Sequence, residues 1–322
     1  MKRRLLPLLI RIVVSGLLIA FLLTSVDLSE LGGALKSANI WYLLIALLLV
    51  FLRLLVMAYR WQIMLLPKGI RVPLLSLTAI YFVGRFFSMF LPTVIGGDIV
   101  RGYELSRLSS RAADSAATVV MERLIGFAAA FIICWISMIF GFRYLEGTNT
   151  IIIIGALSFA FILLLAAAFN ATLMTKIVSL GRVLKRWNVE GKLMKAYRSL
   201  HAFTASKDIL VKGLLVSFIH QLIGVAVSFF VSQSLGLNVS FVYFLIAIPI
   251  IWIIMMIPVS IAGLGVREGA FVLFFTQYGV SSENALLLSL LVFGLTLISA
   301  LLGGIIYSWG GYRKRAYHNE VK

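Results

Sequence analysis

A single cysteine, Cys134, stands in a chain of 322 residues. It excludes an internal disulfide and any cysteine-based metal cluster. Acidic residues are also scarce, 12 Asp and Glu against 29 Lys and Arg, and there are only three histidines, His201, His220 and His318. Charged residues of either sign make up 13% of the chain, about half the share of an ordinary soluble domain. What fills the space is apolar: 61% hydrophobic residues and a mean hydropathy of +1.05. Such a composition defines a polytopic membrane protein. The basic excess then speaks first to orientation and to anionic lipid, and nucleic acid is not an expected partner.

Apolar segments near the roughly 20 residues needed to cross a bilayer fall at 5–24, 41–66, 115–141, 151–170, 209–235 and 283–309. The first has the basic start of a signal peptide, but no small-x-small cleavage site precedes Asp27, so a retained helix is expected. Two further apolar pieces, 74–91 and 241–257, run into Pro/Gly breaks and are followed by mixed segments, 98–110 and 264–279. The stretch 171–208 is rich in Lys and Arg and belongs on the cytoplasmic side, as does the basic N-terminus, so an even number of crossings must separate them. Parity requires that 74–110 enter and return as a re-entrant hairpin. The same reasoning makes 241–279 a hairpin from the outer side and places both termini in the cytoplasm, with Lys36 and Arg143 as the basic residues of the outer loops.

The two breaks resemble each other. "MFLPTVIGGDIVRGY" begins at Met89 and "MMIPVSIAGLGVREG" at Met255, and Pro92/Pro258, Gly97/Gly263, Val100/Val266 and Arg101/Arg267 share one spacing of 166. Shifting 41–66 and 115–141 by that amount lands on the later spans. The expectation is an all-α membrane protein, one membrane domain over 1–322, with about six transmembrane helices and two re-entrant hairpins. These form an inverted repeat, 41–141 and 207–309, joined by the basic segment 171–208. That segment, with Leu180, Trp187 and Tyr197 among its charges, reads either as an amphipathic helix on the anionic leaflet or as a topology signal alone.

Irregular backbone at membrane depth survives only inside protein or beside a wet cavity. After each break a helix restarts, at about Gly97 and Gly265, presenting free N–H groups and a positive dipole end. Gly97, Gly263 and Gly265 allow an oxyanion to approach the backbone. Arg101 and Arg267 follow within reach of phosphate. Asp98, Glu104 and Glu268 can alternatively pair with neighbouring arginines and hold the tips together; the two roles are compatible. Deeper in the spans, Glu122 and Arg123 are candidates to line the cavity or carry a proton. Arg53 lies near mid-span, Arg85 lies in the descending arm of the first hairpin, and Arg60 can snorkel to the inner surface. His220 reads as an interhelical hydrogen-bond partner before a proton relay. The string "GLGVREG" follows no strand and is no nucleotide-binding loop.

Three strings, "FLPTVIGGDIVRGYELSR", "VVMERLIGF" and "IPVSIAGLGVREGAF", resemble the lysylphosphatidylglycerol synthase transmembrane-region family of flippase-like domains, with the likeness extending over about 8–310. In the fused members this unit moves an aminoacylated phospholipid made by an attached synthase domain. The resemblance implies lipid translocation, with Gly97, Asp98, Arg101, Glu122, Arg123, Gly265, Arg267 and Glu268 as motif positions. About a dozen residues follow Trp309, so the expectation is a standalone member without the synthase domain, and the lipid stays open.

The leading function is therefore a flippase or scramblase for a phosphate-bearing lipid: an anionic phospholipid, an aminoacyl phospholipid or a polyprenyl phosphate. Substrate-binding candidates are Arg101, Arg267, Asp98, Glu268, Gly97, Gly263, Gly265, Glu122, Arg123, Arg85 and Arg53, with Arg101→Ala and Arg267→Ala expected to stop transport in a protein that still folds. No cofactor, metal or catalytic residue is expected. Partners are membrane lipids, with a second copy of the chain and a separate lipid-modifying enzyme both left open. Two other classes compete: a secondary transporter of a small anionic solute, and a lipid-modifying enzyme. The outer loop "VDLSELGGALKSAN" holds no Asp-x-Asp for a metal-bound sugar nucleotide, which disfavours the enzyme.

Overall fold

A computed structural model describes residues 33, 36–90, 96–141, 150–170, 195, 197–255 and 263–310. The expected first span at 5–24, the turns holding Pro92 and Pro258, and most of the basic segment lie outside them. The described residues fold as nine α-helices with no strand: α1 (Ile40–Leu65), α2 (Leu74–Phe90), α3 (Gly96–Ser109), α4 (Ala112–Gly141), α5 (Thr150–Phe169), α6 (Lys207–Ser234), α7 (Phe241–Ile254), α8 (Val266–Gln277) and α9 (Ser282–Trp309). This is an all-helical polytopic membrane protein.

Local chemistry sets the boundaries. The Asn39 side chain accepts the Trp41 N–H at 3.0 Å to start α1, and Pro67 with left-handed Gly69 ends it. Ser240 and Ser281 cap α7 and α9 in the same way. The long helices α1, α4, α6 and α9 have 26, 30, 28 and 28 residues. At 1.5 Å per residue they reach about 39–45 Å, more than the roughly 30 Å hydrocarbon core. The arms α3, α7 and α8, of 14, 14 and 12 residues, reach only about 18–21 Å and cannot cross alone.

Were 74–109 one continuous helix, Gly84 and Gly97 would stand roughly 20 Å apart along the axis. Instead, a Cβ built on Gly97 would lie 2.3 Å from the Gly84 carbonyl oxygen and 2.0 Å from Ser88 Oγ, so α2 and α3 double back with almost no space between them. The second pair folds back too. Tyr243 on α7 meets Phe275 and Tyr278 on the far side of the turn, ring centroids 5.7 and 4.5 Å apart. Both hairpins required by the charge parity are present.

The two halves repeat. Helices α1 to α4, displaced by 166 residues, coincide with α6 to α9 apart from their ends, and α5 lies outside the scheme. Packing is reciprocal: α2 lies on α9, the partner of α4, while α7 lies on α4, the partner of α9. Equivalent helices α1 and α6 form the most extensive contact and run antiparallel. The Asn39 N–H donates to the Ser234 carbonyl at 2.8 Å at one end, Arg60 Nη1 donates to Ser217 Oγ at 2.9 Å further along, and Met64 packs on Gly213 at the other end. Antiparallel equivalents are what an inverted repeat produces. Helix α5 leans on α4 through Phe161 against Phe127 and Phe131. The described end of the basic segment docks into the bundle: Phe203 is fully buried, and Ser199 Oγ donates to Asp114 at 2.6 Å; Leu180 and Trp187 of that segment lie outside the described residues.

Candidate functional site

A cavity of about 310 Å³ opens where the two hairpin ends meet α1, α4, α6 and α9. That volume equals about ten waters at liquid density and lies at the small end of ligand pockets. Seven of the sequence candidates line it: Arg53, Arg85, Gly97, Asp98, Arg101, Arg123 and Arg267. Five of them are arginines and one is a carboxylate. The wall also holds Val50, Leu54, Met57, Val292 and Phe293, so the chamber is cationic on some faces and oily on others.

The other four candidates stand back from the wall. Glu122, 1% exposed, accepts from Arg60 at 2.9 and 3.2 Å through Oε1 and from Arg101 at 2.9 Å through Oε2, and Tyr81 donates its hydroxyl to the same carboxylate. It is a tie between α1, α2, α3 and α4. Arg60 does not snorkel to the surface: it is 4% exposed, paired with Glu122 and donating to Ser217. The expected route outward is closed because α6 covers that face of α1. Glu268 accepts the Gly265 N–H at 2.7 Å, closing the first turn of α8, and pairs with Arg267. Gly265 and Gly263 take left-handed φ angles of 81° and 76°, where a side chain would be strained. Gly263 and Gly265 shape the turn, and neither lines the cavity.

The motif arginines are largely spoken for. Arg101 directs Nε and Nη2 to Asp98 at 3.2 and 2.5 Å and Nη1 to Glu122, with its guanidinium carbon 4.0 Å from the Tyr81 ring centroid. Asp98 also pairs with Arg123. Arg267 donates to Glu268 and to Ser289 and lies 4.0 Å over Phe293. Both are buried, 4% and 5% exposed, and both hold hairpin ends in place. Removing Arg267 leaves the buried Glu268 without its cation, whereas after loss of Arg101 Asp98 keeps Arg123 and Glu122 keeps Arg60, so the Arg267→Ala variant carries the larger folding cost.

Arg53 and Arg85 are different: only partly buried, each on the cavity wall, and neither paired with a carboxylate among the described residues. Arg53 Nε donates to His220 Nε2 at 2.9 Å, and its guanidinium lies 4.3 Å over Trp252. The expected interhelical role of His220 is thus what the structure shows. Trp252 was not singled out by sequence reasoning, since a tryptophan within an apolar segment carries no distinguishing mark. The pairing of Arg53 with His220 did have a signal. Shifted by 166, Arg53 falls on Ile219, next to His220, and equivalent helices packed antiparallel bring their centres together.

Fold and site together define a multi-pass membrane protein built as an inverted repeat around an arginine-lined central chamber. The chain belongs to the family described as the lysylphosphatidylglycerol synthase TM region, which it matches over residues 8–304. It is similar to a UPF0104 membrane protein of Methanothermobacter thermautotrophicus, 25% identical over 84% of this chain and 86% of the relative. A second UPF0104 membrane protein, from Pyrococcus horikoshii, is 24% identical over 92% of this chain and 95% of the relative. No solved structure matches.

Proposed function

We propose that the chain carries a lipid with a phosphate-bearing head group across the cell membrane without chemical change. The head passes through the arginine-lined cavity while the tails stay in the bilayer. The observation that carries this reading is the mixed character of one chamber, five arginines beside Val50, Leu54, Met57 and Phe293, where the two hairpin ends converge. An amphiphile needs both surfaces, whereas a free anion needs only the first. Buried arginines inside a membrane bundle are costly and mark substrate pathways. On this reading the protein sits in the cytoplasmic membrane with both termini inside, and a separate lipid-modifying enzyme supplies its substrate.

The test is reconstitution of the full chain in liposomes carrying head-group-accessible fluorescent phosphatidylglycerol, phosphatidic acid or a polyprenyl phosphate, with an impermeant quencher added outside. The expected result is loss of the protected inner-leaflet signal for at least one of these lipids. A signal that stays protected for every lipid would remove the proposal.

A further inference from the structure

Phosphate-bearing head groups differ in charge, from cationic aminoacyl esters through zwitterions to phosphate monoesters, which carry about −1.5 to −2 at neutral pH. The cavity separates these classes. Arg101, Arg123 and Arg267 each face a carboxylate in ion pairs. Arg53 and Arg85 line the same cavity, and neither pairs with a carboxylate among the described residues.

Their supports are neutral. His220 Nε2 accepts the Arg53 N–H, so that nitrogen carries no proton, and the ring fixes the arginine without cancelling its charge. The Trp252 face holds the guanidinium from another side. Gly224 makes the space: a Cβ there would lie 2.7 Å from Arg53 Cζ and 2.4 Å from the Trp252 ring edge. Arg85 has no hydrogen-bond or ion-pair partner among the described residues. Two guanidiniums kept uncompensated and partly open to one chamber are costly unless an anion joins them.

We infer that Arg53 and Arg85 form a two-arginine clamp for a terminal phosphate monoester, with His220 and Trp252 as positioning residues that hold Arg53 in place without neutralising it. The substrate class is a lipid ending in a dianionic phosphate, in preference to phosphodiester, zwitterionic or cationic aminoacyl lipids. This rests on the transport reading for the lipid and on the two arginines alone for the charge preference.

The experiment is calorimetric binding to the purified full chain in neutral detergent. The probes are dioctanoyl phosphatidic acid, phosphatidylglycerol, phosphatidylcholine, lysyl-phosphatidylglycerol and inorganic phosphate. Phosphatidic acid should bind at least about tenfold more tightly than phosphatidylglycerol, and the last two lipids more weakly still. Arg53→Gln and Arg85→Gln should each weaken phosphatidic acid about tenfold or more, the loss of one hydrogen bond to a charged group, and so collapse the monoester preference. His220→Gln, which keeps an acceptor, should retain that preference. His220→Asp, which adds a counter-charge, should lower it. Thermal unfolding of each variant shows whether it is folded, and Arg53→Met, uncharged and of similar length, serves if Arg53→Gln is not.

An unchanged preference in folded variants at both arginines, or lysyl-phosphatidylglycerol binding as tightly as phosphatidic acid, overturns the clamp. Inorganic phosphate binding as tightly as the lipid assigns the site to a free anion and refutes the lipid part. The two proposals fail separately. Monoester binding through Arg53 and Arg85 with no movement in vesicles removes transport, and movement with no monoester preference removes the clamp.

Discussion

Replacing Glu122 by alanine tests whether the buried ion network holds the helices together. Its carboxylate, 1% exposed, receives hydrogen bonds from Arg60, Arg101 and Tyr81, which arrive from α1, α3 and α2. Losing one partner of a buried pair costs about 3–5 kcal/mol, because the remaining charge is left without compensation. Here two guanidiniums are left, but Arg101 keeps Asp98 and borders the cavity, so the loss should stay within that range rather than double. For a chain of this size it corresponds to a fall in unfolding temperature of roughly 4–8 °C. Glu122→Gln keeps an oxygen acceptor and should lose less. The assay is tryptophan-fluorescence thermal unfolding in detergent, combined with the Arg60→Ala single and double variants. The double should cost less than the sum of the singles by about 1–3 kcal/mol. A Glu122→Ala protein that melts within 2 °C of the parent, a margin set by the same scaling, would refute the reasoning, as would strict additivity with Arg60→Ala.

Close helix approach gives further tests. Gly303→Ala would place a methyl 1.9 Å from the Phe82 carbonyl oxygen on α2, and Gly97→Ala would press on the Gly84 backbone. Each should cost about 1–3 kcal/mol from forced separation, read as lower unfolding temperature, whereas Gly155→Ala, with open space around it, should be neutral. The antiparallel α1–α6 contact predicts that a Cys134→Ala background carrying Tyr42→Cys with Phe230→Cys, or Met64→Cys with Gly213→Cys, forms an intrachain disulfide under mild oxidation. Cross-linking of Tyr42→Cys with Gly213→Cys instead would contradict the inverted packing. Glu268→Ala should destabilise by about 3 kcal/mol, since it removes both the Arg267 ion pair and the acceptor for the Gly265 N–H; an unfolding temperature equal to the parent's would refute this.

Composition and spacing determined the class of this protein. Helix lengths, the two hairpins and the 166-residue repeat were readable because hydropathy follows element length and because Pro and Gly act locally on the backbone. The convergence of Arg101, Asp98 and Arg267 on one chamber was readable for the same reason, as each follows a break. Which arginines lack a carboxylate partner among the described residues was decided only by the tertiary structure. Arg101 and Arg53 are the same residue type at membrane depth, and only their neighbours distinguish them: two carboxylates beside one, a neutral imidazole and an indole beside the other. Arg60 makes the same point, since a long cation near a helix end reads as surface-bound until α6 is seen to cover it. Part of the charge compensation at depth comes from pairs on different helices, such as Arg60 with Glu122, 62 residues apart, and such pairs follow from packing rather than from any local pattern in the chain.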